Sequence, residues 1–376
     1  MFTLRLICSW MIVLMFITLP GAARAMPDDG GWSDDFFRNG MDGWVIALTV
    51  DREGNLYAGG FFTTAGGIAA NHIAKWDGAA WAPLGSGVNE AVHALAADGK
   101  GNIYAGGNFT TAGSTIVNNI AKWDGAGWTY LNSGMNGSVY ALAVDGDDNL
   151  YAAGAFTTAG GITVNRVAKW DGASWSALGS GMNNTVSALT VANSGALYAG
   201  GRFTMAGDSP ANRIAKWDGT SWTALNSGLS YLVHALAVDS SGTLYAGGEF
   251  SSADGATARY VAMWDGATWS ALGTGARGYV YALVTDADDN LYMGGHFTLA
   301  GGTPANYVAK WNGISWTALD SGTDGSVTAL TLDAGGSLYA GGSFTTAGGK
   351  PSLHIGQWVD LSAVQPNQFL PLVMGE

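Results

Sequence analysis

Side chains able to do chemistry are sparse in this sequence, and their placement is regular. Five histidines, 16 Lys and Arg and 29 Asp and Glu are spread over 376 residues, with a single cysteine, Cys8. Two kinds of position hold potential binding groups that change along the chain. The first is the x of a recurring Val-x-Ala segment: Ile46, His93, Tyr140, Ser187, His234, Tyr281 and Thr328. The second follows a recurring Gly-Gly (once Ala-Gly) pair: Phe61, Asn108, Ala155, Arg202, Glu249, His296 and Ser343. Three of the five histidines fall in these two sets. His, Arg, Glu and Tyr gathered in one place would make a polar cluster able to orient a ligand. Glycoside cleavage would instead need paired carboxylates roughly 5 to 10 Å apart, and Glu249 is the only acid in the two sets.

Other chemistry finds little footing. The strings GxSxG, HExxH and GxxxxGK[ST] are absent. An Asp-x-Gly-x-Thr-Trp box is missing too, since the comparable turns read Asp-Gly-Ala-Ser-Trp, as at 171–175. Asp145-x-Asp147-x-Asn149 and Asp286-x-Asp288-x-Asn290 have the oxygen spacing that begins a calcium loop. Leu150 and Leu291 then stand where such a loop needs Gly, and Phe156 and Phe297 where it needs Glu. No cofactor is therefore expected: these segments read as hairpin turns, with calcium as the competing reading. Lys75, Lys122, Lys169, Lys216 and Lys310 share one repeat position, as expected of structural lysines, solvated or packed on Trp.

The elements that carry these residues are dictated by an internal repeat. Trp76, Trp123, Trp170, Trp217, Trp264, Trp311 and Trp358 are spaced by 47 residues without insertion or deletion. Tyr57 through Tyr339 and Phe62 through Phe344 keep the same step. Each unit reads as four short strands. In the second, Val92 to Ala97 is apolar, Ile103 to Ala105 closes on Gly106-Gly107, and a loop rich in Thr and Gly leads to Asn119 to Trp123. Asp124-Gly125 makes a hairpin turn, and Trp128 opens the fourth strand. No segment sustains a 3.6-residue period with caps, which excludes helical repeats.

A four-stranded unit of this size is a propeller blade. The expected fold is all-β: a seven-bladed β-propeller of four-stranded blades over residues 26–360. Tyr of the second strand and Trp of the third should fill the gaps between blades. The last unit lacks its hairpin Trp, having Ala363 there, while Gly31 to Met41 aligns with a lone fourth strand. The N-terminal strand should therefore complete the seventh blade and close the ring, removing exposed sheet edges. In such a ring the first strand begins where the second ends, so both variable sets should meet at one rim. Arg202, His234, Glu249, Tyr281 and His296 would then share one arc, with His93 and Tyr140 on the same ring. The opposing reading has these side chains filling inter-blade space or facing solvent.

The order of apolar strand, Gly-Gly, aromatic third strand, short turn and Trp resembles the kelch-type propeller. The run LYAGGFFTTAGG…NHIAKWDGAAWAPLGSG at 56–87 is more closely similar to bacterial repeats that resemble the fungal cortical polarity-marker (bud-site selection) proteins. The resemblance spans nearly the whole mature chain and implies the fold. It implies no single activity, because propellers host many.

The ends place the protein outside the cell. Arg5, the apolar run Met11 to Leu19 and Ala23-Arg24-Ala25 make residues 1–25 a secretory signal peptide. Cys8 leaves with it, so the mature chain has neither disulfides nor a thiol nucleophile. The formal charge of −13 becomes more negative by two when Arg5 and Arg24 are lost, which disfavours nucleic acid as a partner. No mature segment is apolar enough to span a bilayer, and the tail 361–376 is too short. The reading is an extracellular or cell-surface binding module, monomeric and non-enzymatic, for a glycan or a protein. A carbohydrate-active enzyme and a structural envelope protein are the alternatives. Exported protein should begin at Met26, which intact-mass spectrometry of secreted material reads directly. A soluble intracellular pool retaining Met1 would contradict this.

Overall fold

The computed structural model describes residues 30–36 and 39–360; the expected signal segment 1–25 and the tail 361–376 lie outside them. Seven four-stranded antiparallel sheets follow one another, all built on one pattern. In the second blade the strands are Val92–Ala97, Ile103–Gly107, Ile120–Trp123 and Trp128–Thr129. The five residues that run from Leu or Ile to the end of the Gly pair on the second strand are buried in every blade, because neighbouring blades cover both faces there. That explains its run of small and apolar residues where a one-sided sheet would alternate. The hairpin between third and fourth strands turns on Gly125 at φ 91°, with the Asp124 carboxylate accepting from the amides of Ala126 and Gly127.

The hydrophobic core is divided among the gaps between blades. Each of seven buried clusters takes one face from a blade and the opposite face from the next. Tyr104 of blade two thus packs with Val139, Leu150 and Trp170 of blade three. Tyr and Trp do fill the gaps, but on opposite sides: Tyr faces the following blade and Trp the preceding one. Across each gap the fourth-strand Trp donates its indole N–H to a backbone carbonyl of the blade before. Trp128 reaches Leu84, Trp175 Leu131, Trp222 Leu178, Trp269 Leu225 and Trp316 Leu272, at 2.8 to 3.1 Å.

The ring closes as the sequence predicts. Gly31–Trp32 pairs with the third strand Ile355–Val359, placing Trp32 opposite Trp358. The Trp32 indole donates to Leu319 at 3.2 Å, and Trp81 of blade one donates to Asn39 at 2.6 Å. Phe36 is buried against Trp76, Trp81 and Tyr339, filling the last gap.

Two details depart from the sequence reading. The Thr- and Gly-rich loop after the second strand is a small two-stranded ribbon, Thr111–Ala112 with Thr115–Ile116 in blade two. Ahead of it, Asn89 accepts from the amides of Thr110 and Thr111, and Asp42, Asn136, Asn183, Ser230 and Asp324 do the same in their blades. Blade six has Arg277 there, with no acceptor to offer. Its first two strands instead pair continuously as Ala276–Thr285 and Leu291–Ala300.

The paired glycines ending the second strand have unequal duties. A Cβ on Gly247 would lie 2.4 Å from the Val280 side chain of the next blade. On Gly248 it would lie 2.0 Å from the Leu232 carbonyl oxygen, a backbone atom of its own blade. The third blade already carries Ala153 at the first position, so that contact can relax. Gly247→Ala should cost about 1 to 3 kcal/mol, the range for overpacking. Gly248→Ala should cost more than that. Thermal denaturation of the two variants checks the order, and equal losses would contradict it.

Candidate functional site

The variable residue of Val-x-Ala has a structural reason to be variable. In all seven blades Val and Ala, two apart on the first strand, pair with adjacent glycines or alanines on the second. The residue between them is the extra one of a β-bulge. A bulged residue is unpaired, and the local kink re-aims its side chain. Here all seven, Ile46, His93, Tyr140, Ser187, His234, Tyr281 and Thr328, line one open cavity of about 640 Å³. Because every blade contributes, the cavity lies on the ring axis. Below it the channel is walled by the Ala and Leu residues that follow each bulge.

The residues after the Gly pair join this mouth unequally. Arg202 lines the cavity beside Asn184 and Thr185. Glu249 is half-buried and its Oε1 lies 2.9 Å from His234 Nε2. His296 is not brought in. Its Nδ1 lies 2.8 Å from Ser326 Oγ and its ring leans on Tyr307, on the way to blade seven. The proposed five-residue arc thus reduces to Arg202, His234, Glu249 and Tyr281, while His93 and Tyr140 line the same cavity.

Two histidine–tyrosine pairs face the cavity in related geometry. His93 meets Tyr140 edge-on at 5.5 Å and 66°, and His234 meets Tyr281 at 5.5 Å and 65°. They differ in their polar partners. His234 has Glu249, whereas His93 Nε2 is buried without a hydrogen-bond partner among the described residues. Desolvation holds His93 below the usual imidazole range. Burial first, then the Glu249 charge, raises the Tyr281 hydroxyl.

Sequence reasoning singled out Phe61 but missed the aromatics Trp44 and Tyr279. Trp44, Phe61 and Tyr279 are exposed, and they contact the mouth residues: Trp44 meets Phe61, Phe61 meets His93, and Tyr279 meets Tyr281, at 6.0 to 6.4 Å between ring centres. Trp44 and Tyr279 occupy a repeat position that holds Ala91, Ser138, Thr185, Leu232 and Ser326 elsewhere. That disagreement between copies was the available signal.

The calcium candidates sit at the opposite end of the first strand, away from the mouth. Asp145 Oδ1 accepts from the amides of Asp147 and Asn149, and Oδ2 from the Tyr151 hydroxyl. Asp286 likewise accepts from the amides of Asp288 and Asn290. Both carboxylates are engaged by their own turns. The same Asp–Tyr contact recurs as Asp51–Tyr57, Asp98–Tyr104, Asp239–Tyr245 and Asp333–Tyr339, where the sequence has no calcium-like spacing. Burial, then the Asp145 charge, pushes the Tyr151 hydroxyl up to about 12. The repeated lysines lie over Tyr rings rather than Trp: Lys75 on Tyr57, Lys169 on Tyr151, Lys216 on Tyr198 and Lys310 on Tyr292, at 5.2 to 5.9 Å.

Comparison with known proteins agrees with this architecture. Residues 74–231 match the family described as the Rax2 C-terminal beta propeller domain, which supports a β-propeller related to Rax2. No curated protein matches the sequence. Among solved structures, the chain is similar to the extracellular domain of the one component system BT4673 from B. thetaiotaomicron, with 11% identity and a TM-score of 0.58. That match covers 87% of this chain and 39% of the other, so the chain spans about two-fifths of that extracellular domain. The RRP9 WD40 repeats match at 14% identity and a TM-score of 0.60, over 89% of this chain and 98% of theirs. U3-55K matches at 15% identity and 0.61, over 89% and 99%. At such identities the likeness concerns the fold alone.

The half-buried His93, whose Nε2 has no hydrogen-bond partner among the described residues, gives a pH signature. Its folded-state pKa lies below the unfolded value of about 6.5, so the unfolded state binds the proton more readily. Its neutral form is fully compatible with the fold above that pH, and stability is lost as pH falls through and below about 6.5. Denaturant melts at pH 7.5 and 5 should show a smaller decline for His93→Gln than for the parent. An identical decline would contradict the assignment.

Proposed function

We propose that this protein is a non-enzymatic binding module, exported to the cell surface or beyond, that holds its ligand at the axial mouth of the ring. One observation carries the reading. The single position per blade that the pairing pattern leaves free is filled by His, Tyr, Ser, Thr and Ile, and all seven converge on one cavity. Concave sites with a few convergent polar groups among apolar ones are where small ligands and chain segments bind. Arg202 and the His234–Glu249 pair supply oriented donors and acceptors there.

The leader-like N-terminus supports export. The Rax2-family match and the likeness to an extracellular domain are consistent with a surface location. An enzymatic reading has less behind it. The residues lining the cavity include no Asp or Glu, and Glu249 beside it is one carboxylate where glycoside cleavage uses two. The module acts as a monomer, its partner being a glycan or protein of a cell surface and not nucleic acid.

Residues 26–376, labelled and applied to glycan and peptide arrays, test the reading together with the Arg202→Ala/Glu249→Ala double variant. Binding by the parent should fall more than tenfold in the variant. Its stability should change by about 1 kcal/mol or less, since one residue is exposed and the other gives up a single partly buried hydrogen bond. Undiminished binding by the variant, or a large loss of stability with no ligand to lose, would refute the mouth as the site.

A further inference from the structure

The aromatic residues at the mouth are arranged in two separate arcs, and the arrangement selects among ligand classes. One arc crosses blades one to three as Trp44, Phe61, His93 and Tyr140, each ring contacting the next at 5.5 to 6.4 Å. The other joins Tyr279 and Tyr281 of blade six to His234 of blade five, at 6.4 and 5.5 Å. Between them blade four offers only polar groups to the cavity: Asn184, Thr185, Ser187 and Arg202. The flanking rings are solvent-facing, with Trp44 56%, Phe61 52%, Tyr279 41% and Tyr140 36% exposed. Their exposure is not needed by the core, which is complete within the gaps between blades.

Resting on the reading of the mouth as the binding site, we propose that its ligand is a neutral oligosaccharide chain lying across both arcs. A pyranose ring has one face of C–H groups and a rim of hydroxyls. The C–H face carries partial positive charge and suits the negative face of an aromatic ring. The hydroxyls are paired donors and acceptors that suit carboxylate, guanidinium, amide and imidazole groups. The mouth presents these two chemistries alternately around its circumference.

The other ligand classes fit less well. Nucleic acid would meet a chain of formal charge −13 whose mouth cavity is lined by one cation, Arg202. An acyl chain would want contiguous apolar surface, and the two arcs are interrupted by polar groups. A protein partner would need roughly 800 Å² of well-packed contact on this side, and here the aromatic groups surround a hollow.

Calorimetric titration of residues 26–376 with neutral tetra- to hexasaccharides of the cello, xylo, manno, malto and chito series tests this. At least one series should bind, with affinity rising with chain length as the ligand comes to span both arcs. Tyr140→Ala and Tyr279→Ala should each weaken that binding at least tenfold at unchanged melting temperature, and Tyr140→Phe should restore it because the stacking face remains. Absence of binding across the series, or binding indifferent to both alanine variants, would overturn the proposal. A protease-sensitive surface partner whose binding is lost in the Arg202→Ala/Glu249→Ala variant would overturn the glycan assignment and leave the mouth as the site. Oligosaccharide binding that survives both the double variant and the tyrosine substitutions would overturn both.

Discussion

Each blade is held to the one before it by an indole N–H reaching across the gap to a backbone carbonyl. A blade of this kind cannot stand alone. Its sheet is apolar on both faces, so half of its burial belongs to each neighbour, and an unpaired blade would expose the whole of one face. The Trp side chain solves two problems in the same place. Its ring fills the gap, and its one polar atom, which would be costly to bury unpaired, finds a carbonyl that the outer strand leaves free. Seven such contacts make the ring, and two of them depend on the segment ahead of the first blade: Trp32 donating to Leu319, and Asn39 accepting from Trp81.

The same tight register explains where variation is permitted. Second-strand residues are fixed by burial on both faces, and the Gly pair by the approach of Val from the next blade and of a carbonyl from the same one. Asp at the far turn is fixed by its amides and by Tyr. The bulged residue of the first strand meets none of these demands. It belongs to no pairing and faces the axis, so its side chain is free to be Ile, Ser, His or Tyr. Side chains can change there without disturbing the strand pairing. Thr328 is a partial exception, since its hydroxyl donates to the Val45 carbonyl across the closing gap.

Much of this was legible in the residues, and the limits are physical. The 47-residue step of Trp, Tyr and Phe specified the blades and their number, because only a closed ring buries both faces of every unit. The lone Trp32 ahead of the first blade specified closure. Disagreement among copies located the mouth, but sequence spacing could not show that His296 turns sideways onto Ser326 and Tyr307 while Glu249, at the same repeat position, turns inward to His234. Such choices depend on partners supplied by neighbouring blades. The calcium-like spacing in blades three and six was ambiguous for a similar reason. The first Asp of each motif looks like a ligand in isolation, and only the fold reveals the amides that engage it.

Hydrogen–deuterium exchange on residues 26–376 tests the closed ring most directly. Peptides covering residues 30–36 should exchange as slowly as those covering Trp128–Thr129 and Trp175–Ala177, the fourth strands of blades two and three. Fast exchange at 30–36, with protection retained at those other fourth strands, would mean that the N-terminal strand does not close the ring and that the axial cavity is not framed by seven complete blades.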